Sequence, residues 1–268
     1  MRKHLLVSTV QDRLGMLKKM LATVRRFLPD WEVTAVCQEF TLDEFSLASS
    51  LADTALFVPL RVGPHNAKLV GLRDIANRSR GERFVVCSVD DDMEFIEATN
   101  FQPMVEKVMS DGVGFVSGGW VNAPSKLAKK PVVDEFVEQP IVYTGGGMLF
   151  SDRVAQLVCD IPPGNYFCDN TEWSLATYLA GYRNFRYKGS VAFHWICSRG
   201  GRRAWVQLAE RKIPDPRFLR IKRGNRDKSI NNWLVGASSD LTEEARALHK
   251  QNRAELEKGF KCTPTSPQ

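Results

Sequence analysis

The six cysteines of this 268-residue chain include no C-x-x-C pair and have no spacing typical of a zinc site or a small disulfide framework. The sequence also lacks any apolar run of about 18 residues, the length that a membrane-spanning helix needs. Internal repeats and low-complexity tracts are absent as well. The apolar stretch near Met1 is too short for a signal peptide. We therefore expect a soluble protein of a reducing, cytoplasmic compartment.

The positive charge of the chain is concentrated in one segment. The whole chain carries a formal charge of +6, whereas residues 199–228 contain eleven Lys or Arg against three acidic residues. This segment, Arg199 to Lys228, therefore holds an excess of eight positive charges, and the rest of the chain is net −2. Trp205 and Phe218 lie among the cations, a composition that suits nucleic acid but also fits a solvated basic surface or a lid over a bound diphosphate.

Short β-rich runs alternate with helix-period segments in the first half, which predicts an α/β fold with a mostly parallel sheet. Strands are predicted at residues 5–9, 32–37, 55–58 and 83–89, and helices at 14–28, 43–51 and 63–77. In the second half, helices are predicted at 101–109, from Asp152 and at 170–181. Strands are predicted at 113–117, 184–188 and 190–193, and residues 118–142 are predicted as a connection. We expect a core over residues 1–195 and a basic extension over 196–268 that includes a polar helix at 242–258.

Three consecutive aspartates, Asp90-Asp91-Asp92, follow the predicted strand at 83–89. In open α/β sheets, ligands bind at the carboxyl ends of the strands. Adjacent carboxylates repel one another, so ionising all three is unfavourable. A divalent cation bound by their oxygen atoms compensates for this repulsion. The alternative interpretation of the triplet alone is a solvated acidic turn. Its position at a strand end favours a metal site instead.

Four stretches of the chain, taken in order, resemble the A-type glycosyltransferases, in particular the large inverting, nonprocessive group of sugar transferases. They are Ser8 to Arg13, Gly63 to Leu72, Val85 to Asp92, and Asp169 to Leu175 with Leu179 to Arg183 after it. Together they extend over most of residues 4–195. The resemblance implies a single Rossmann-like domain that transfers a sugar from a nucleotide-diphosphate donor, for which a UDP-sugar is expected, with Mn²⁺ or Mg²⁺ as cofactor.

The same resemblance assigns site residues. It implies that Asp92 binds the metal, that Asp90 reaches the metal or the donor ribose, and that Asp91 assists. His194 follows a strand where this fold often supplies a third metal ligand, and imidazole suits Mn²⁺. Lys68 stands where the family often has Arg beside the diphosphate, although an exposed helical lysine is an equal alternative.

Further donor contacts are expected on position alone. Thr9, the last residue of the first predicted strand, and the Gln38-Glu39 pair at the end of the second are predicted to contact the nucleotide. Gly145 and Gly146, in the run Gly145-Gly146-Gly147, are predicted to let the backbone approach the donor sugar or the acceptor, because glycine has no Cβ. The alternative is a flexible turn.

The sequence departs from the family at its acidic motif. The alignment puts Asn170 where the general base usually stands, and an amide cannot accept a proton at neutral pH. Either Asp169 or Glu172 takes that role, or the enzyme retains configuration and needs no such base. The stereochemical outcome therefore stays open.

The acceptor is predicted to be anionic and to contact residues 199–228. Some viral enzymes of this general type glycosylate hydroxymethylated bases in DNA, and such a base is the favoured acceptor, which would have to leave the duplex stack to react. A polysaccharide, a phospholipid head group or a teichoic-type polymer also fits. Two other classes remain: a sugar-nucleotide nucleotidyltransferase, and an inactive nucleic-acid-binding module.

Overall fold

The computed structural model describes residues 1–60, 62–127, 132–139, 142–161, 173–174, 176–178 and 180–195. Within them the chain forms a nine-stranded sheet. The strands are β1 (Arg2–Val10), β2 (Glu32–Gln38), β3 (Thr54–Val58), β4 (Phe84–Asp90), β5 (Met93–Glu94), β6 (Val113–Val121), β7 (Phe136–Glu138), β8 (Met148–Ser151) and β9 (Arg183–His194). The helices are α1 (Leu14–Phe27), α2 (Leu42–Leu51), α3 (Gly63–Arg78), α4 (Gln102–Val108), α5 (Pro124–Leu127) and α6 (Asp152–Cys159).

The strand order is β3-β2-β1-β4-β8-β6-β9-β5, with β7 paired to β9. The first four of these are parallel neighbours, and β8 is antiparallel to both β4 and β6. Since β9 is parallel to β6 and antiparallel to β5 and β7, six strands run in one direction and three in the other. The predicted α/β fold with a mostly parallel sheet is confirmed.

Both faces of the sheet are buried, as expected where helices cover a parallel sheet. On β4, Val85 and Val89 face the apolar cluster that includes α1 and α4, whereas Val86 faces the cluster that includes α3 and α6. The alternation follows the two-residue period of a strand. Close packing of α3 depends on Gly71, because a Cβ there would lie 2.4 Å from Leu6 Cδ1.

The second half differs from the sequence prediction in three places. Residues 118–142, predicted as a connection, include the end of β6, the short helix α5 and β7. The glycine run is followed by β8, which the sequence analysis missed, and the two strands at 184–188 and 190–193 are one strand, β9. Glycine is unfavourable in strands and weakens their sequence signal. The pairing of β6 with β9 shifts register near Gly118 and Gly189, which explains the interrupted pattern.

No helix in the described ranges is long and apolar enough to cross a membrane. The predicted basic extension at 196–268, with its helix at 242–258, lies outside the described residues.

His4 on β1 makes the stability of the fold sensitive to acid. Its ring is fully buried, with Nε2 2.9 Å from Ser79 Oγ, and burial lowers the pKa of His4 from 6.5 to about 4. The native state holds a neutral imidazole, whereas the unfolded chain takes up a proton below pH 6.5. The free energy of unfolding should therefore fall by roughly 2 to 3 kcal/mol as the pH drops from 6.5 to 4.

The measurement is urea unfolding across that pH range. His4→Gln, which has no group that titrates there, should show a correspondingly shallower pH dependence. A variant with the same pH slope as the wild type would contradict the assignment.

Candidate functional site

The aspartate triplet lies at the carboxyl edge of the sheet, where β1, β4, β6 and β9 all end. Asp90 is the last residue of β4, and Asp91 and Asp92 form the turn into β5. Because β5 pairs with the end of β9, Met93 lies opposite His194, and the backbone N–H of Trp195 donates to Asp92 O at 2.7 Å. This pairing brings His194 to a triplet that lies about a hundred residues earlier.

Asp90, Asp92 and His194 form a compact group of ligand atoms. His194 Nε2 lies 2.9 Å from Asp92 Oδ1 and 3.5 Å from Asp90 Oδ2, and one ligand atom from each residue lies within 4.8 Å of the others. Two carboxylates and one imidazole suit Mn²⁺, while the carboxylates also suit Mg²⁺. The donor set therefore fits a divalent cation, and it is the one such group of three or more in the described ranges.

Asp90 is held ionised by its neighbours. Lys68 Nζ lies 3.1 Å from Asp90 Oδ1, and Thr144 Oγ1 donates to Asp90 Oδ2 at 2.9 Å. Burial alone would raise the pKa of Asp90, but the charges of Lys68 and His194 and the Thr144 hydrogen bond hold it well below its usual range. Lys68 itself is fully buried, so the alternative of an exposed helical lysine is wrong.

The start of α3 fixes the position of Lys68. Gln38 Oε1, at the end of β2, accepts hydrogen bonds from the backbone N–H groups of Val62 and Gly63, both at 3.0 Å. Gln38 is buried, and its carbonyl satisfies donors that a helix start leaves without a partner. Gln38 therefore holds the start of α3, and its predicted contact with the nucleotide stays a prediction.

Asp91 contacts Thr9 and Arg13 and is not one of the three residues that form the group of metal ligand atoms. Thr9 Oγ1 donates to Asp91 Oδ2 at 2.7 Å, and Arg13 Nη2 lies 2.7 Å from Asp91 Oδ1 and 3.0 Å from Asp92 Oδ2. Burial, opposed by Arg13 and reinforced by the charge of Asp92, raises the pKa of Asp91 to about 6. Thr9 and Arg13 therefore hold the carboxylate of Asp91 in place. The sequence gives no signal for this role of Arg13 beyond its place in the stretch Ser8 to Arg13.

The glycine-rich turn packs under the site. A 3₁₀ turn over Thr144–Gly146 is buried, and a Cβ on Gly145 would lie 2.7 Å from Trp120 Cδ1 and 2.9 Å from His194 Nδ1. A Cβ on Gly146 would lie 2.4 Å from the backbone of Gly118 on β6. These two glycines therefore allow the turn to reach β6, β9 and Asp90, an arrangement that a flexible turn would not require.

Replacing Gly146 with Ala should destabilise the protein by about 2 kcal/mol, because the added methyl group meets backbone atoms that cannot move aside cheaply. The matched control is Gly15→Ala on α1, where a Cβ meets nothing within 4 Å and helix propensity favours Ala by about 0.5–1 kcal/mol. Thermal unfolding of both variants measures the difference. Equal unfolding temperatures for the two variants would contradict the proposed packing.

Of the remaining predicted site residues, the structure describes Glu39 but neither candidate for the general base. Glu39 is exposed just after β2, with φ of 59°, a left-handed conformation that is uncommon for a residue with a side chain. Its N–H donates to Val58 O at 3.0 Å, so the carboxylate stands at the same edge of the sheet as Thr9. Asp169 and Glu172, the candidates for the general base, lie outside the described residues.

Comparisons with known proteins support the fold assignment. Neither protein-family models nor curated protein sequences match the chain. Among solved structures, the mannosyltransferase PcManGT from Pyrobaculum calidifontis, in complex with GDP-Man and Mn²⁺, is similar with a TM-score of 0.56 and 17% identity, over 78% of this chain and 61% of that one. The structure of GalNAc-T7 with UDP, GalNAc and Mn²⁺ is similar with a TM-score of 0.55 and 13% identity, over 72% of this chain and 43% of that one.

TarS 1-349 from S. aureus is similar over 97% of this chain and 91% of its own length, with a TM-score of 0.54 and 14% identity. The chain spans less than two thirds of the first two structures and nearly all of the third. At such identities the likeness shows architecture only. The chain has the Rossmann-like A-type fold of these transferase structures, as its sequence predicts.

Proposed function

We propose that this protein is a metal-dependent glycosyltransferase that takes its sugar from a nucleotide-diphosphate donor. The observation that carries the proposal is the group formed by Asp90, Asp92 and His194 at the carboxyl edge of an A-type fold. Both PcManGT and GalNAc-T7 were solved with Mn²⁺ and a nucleotide or nucleotide sugar, which supports the same ligand classes here.

Asp90, Asp92 and His194 would hold the cation. A bound Mn²⁺ or Mg²⁺ supplies Lewis-acid stabilisation of the charge on the departing diphosphate. The charges of the surrounding residues suit that role: Lys68 and Arg13 offset two of the three carboxylates, and because an imidazole loses its proton when it binds a metal, the residues around a bound cation sum to −1. A divalent cation then makes it net positive, which attracts a diphosphate.

Each remaining residue has a role that its contacts support. Thr144 and Lys68 orient the Asp90 carboxylate, and Arg13 and Thr9 fix Asp91, so that the turn presents Asp92 toward His194. Thr9 and Glu39 stand on the β1 and β2 side of the edge, where we propose that the nucleoside binds. Asp169 or Glu172 remains the proposed general base for an acceptor hydroxyl.

The test is incubation with a panel of UDP- and GDP-sugars with and without Mn²⁺, followed by quantification of the nucleotide products. Metal-dependent release of a nucleoside diphosphate is the expected result. Pyrophosphate turnover would instead identify a nucleotidyltransferase. Binding of nucleic acid without any turnover would identify an inactive module.

The finer proposal for the acceptor is a hydroxymethylated base in DNA, contacted by residues 199–228. That segment lies outside the described residues, so the proposal depends on its composition, with eleven cations and interleaved aromatics. We expect the full chain to bind DNA oligonucleotides with an affinity that falls steeply as salt rises, because cations released from phosphates drive such binding. Undetectable binding at low salt would contradict a DNA acceptor.

A further inference from the structure

Trp120 is the one exposed residue of the central strand β6. The strand is otherwise buried along its whole length, whereas the Trp120 side chain is 36% exposed at the carboxyl edge. Its ring is nearly perpendicular to that of His194, with the ring centroids 5.5 Å apart. A partly exposed aromatic ring therefore stands directly beside a candidate metal ligand.

The indole is held in place by its surroundings. Gly145 lies against the Cδ1 and Nε1 edge of the ring, so close that a Cβ there would be 2.7 and 2.8 Å from those atoms. With His194 on one side and the Gly145 backbone on another, the exposed part of the ring faces a fixed direction. A rigid aromatic surface of this kind orients a ligand at low entropic cost.

The strand order determines which part of a donor would meet this surface. Thr9 lies on β1 and Glu39 just after β2, both on one side of β4, whereas β6 and β9 lie on the other side. The metal group includes Asp90 at the end of β4 and His194 at the end of β9, and β6 lies between these two strands in the sheet order. A diphosphate held there would connect a nucleoside toward β1 and β2 with a sugar toward β6 and β9.

We propose that Trp120 contacts the sugar of the donor and determines which sugar the site accepts. The inference rests on the proposed function, because it takes the nucleoside to lie over Thr9 and Glu39. The apolar C–H face of a pyranose would lie against the exposed indole, while the ring's hydroxyl groups face the polar side of the site. Trp120 is then a specificity residue that acts on the sugar and leaves the nucleoside diphosphate unaffected.

The test compares two ligands that differ only in the sugar. The affinities of UDP, GDP and their sugar conjugates are measured by calorimetry with Mn²⁺, and the conjugate that the wild type binds most tightly is paired with its parent diphosphate. Trp120→Ala should weaken binding of the conjugate roughly tenfold relative to the parent diphosphate, the ratio that about 1.4 kcal/mol produces. Trp120→Phe, which keeps an aromatic face, should recover most of that loss.

Trp195→Ala is the matched control. Trp195 is also 36% exposed and adjoins His194 in sequence, but its ring stacks on Phe193, and alternate strand residues point to opposite faces. Trp195→Ala should leave the ratio between the affinities for the sugar conjugate and for the parent diphosphate unchanged. If Trp120→Ala weakens the binding of both ligands equally, Trp120 acts only by supporting His194. If it weakens the binding of neither ligand, Trp120 does not contact the sugar. Either result overturns the inference.

The proposed function fails in a different way. If the wild type binds neither UDP nor GDP in a Mn²⁺-dependent manner, the metal and donor assignment is wrong, and the role of Trp120 falls with it. Mn²⁺ affinity measured by electron paramagnetic resonance without nucleotide gives an independent check: Trp120→Ala should leave it within about twofold of the wild type, which is less than 0.5 kcal/mol.

Discussion

Asp92→Asn is expected to reduce sugar transfer by about 10³-fold, the rate ratio that corresponds to roughly 4 kcal/mol of transition-state stabilisation. Asp92 Oδ1 lies 2.9 Å from His194 Nε2, and Asp92 Oδ2 lies 3.0 Å from Arg13. The amide keeps the size of the side chain but removes its charge and offers the cation one weaker oxygen. The measurements are donor turnover and Mn²⁺ affinity, both of which should fall.

Asp43→Asn serves as the control for this variant. Asp43 is an exposed carboxylate in the first turn of α2, so its loss also removes one negative charge from the chain. It should change neither turnover nor Mn²⁺ affinity. If Asp92→Asn retained wild-type affinity for Mn²⁺, the proposed ligand set would be wrong even if turnover fell.

Lys68→Met is expected to abolish donor turnover and to destabilise the protein by about 2 kcal/mol. Loss of one partner from a buried ion pair leaves the other charge uncompensated, and the usual cost of several kcal/mol is reduced here because Asp90 is partly exposed. Lys68 is fully buried, and Met fills a similar volume without the charge. Urea unfolding and a turnover assay measure the two effects.

The double variant Asp90→Asn with Lys68→Met separates stability from function. With both charges gone, the unfolding free energy should return to within about 1 kcal/mol of the wild type, as expected for two residues coupled through one contact. Turnover should stay lost, because Asp90 is also a proposed metal ligand. Lys18→Met, at an exposed position of α1, controls for the loss of one positive charge and should change neither property.

The sheet edge that carries Thr9, Glu39 and Asp90 was predictable because these residues stand at strand ends. The apolar run before Asp90 ends at the triplet, and the carboxyl ends of parallel strands meet at one edge, so the positions of Thr9, Glu39 and Asp90 followed from the strand pattern. His194 was predicted from the resemblance alone. In the structure, the pairing of Met93 with His194 brings it to Asp92, and no local pattern encodes that pairing.

Other features could not be read from the sequence for identifiable reasons. Met148, Leu149 and Phe150 of β8 form a short apolar run, whose period does not distinguish a buried strand from a helix. Arg13 lies among exposed helix and loop residues in the sequence, and its pairing with Asp91 and Asp92 depends on the tertiary path of the chain. Gly118 suggests a turn locally, but in the fold it makes room for the backbone of Gly146.

The central claim is that Asp90, Asp92 and His194 bind one divalent cation. Crystals of the wild-type protein soaked with Mn²⁺ and a nucleoside diphosphate allow the metal to be located by its anomalous scattering. We predict a single strong peak within about 2.0–2.3 Å of one atom from each of these three residues, the range for first-row metals with oxygen and nitrogen ligands. A peak bound by other side chains, or none at this edge while the nucleotide is present, would contradict the account.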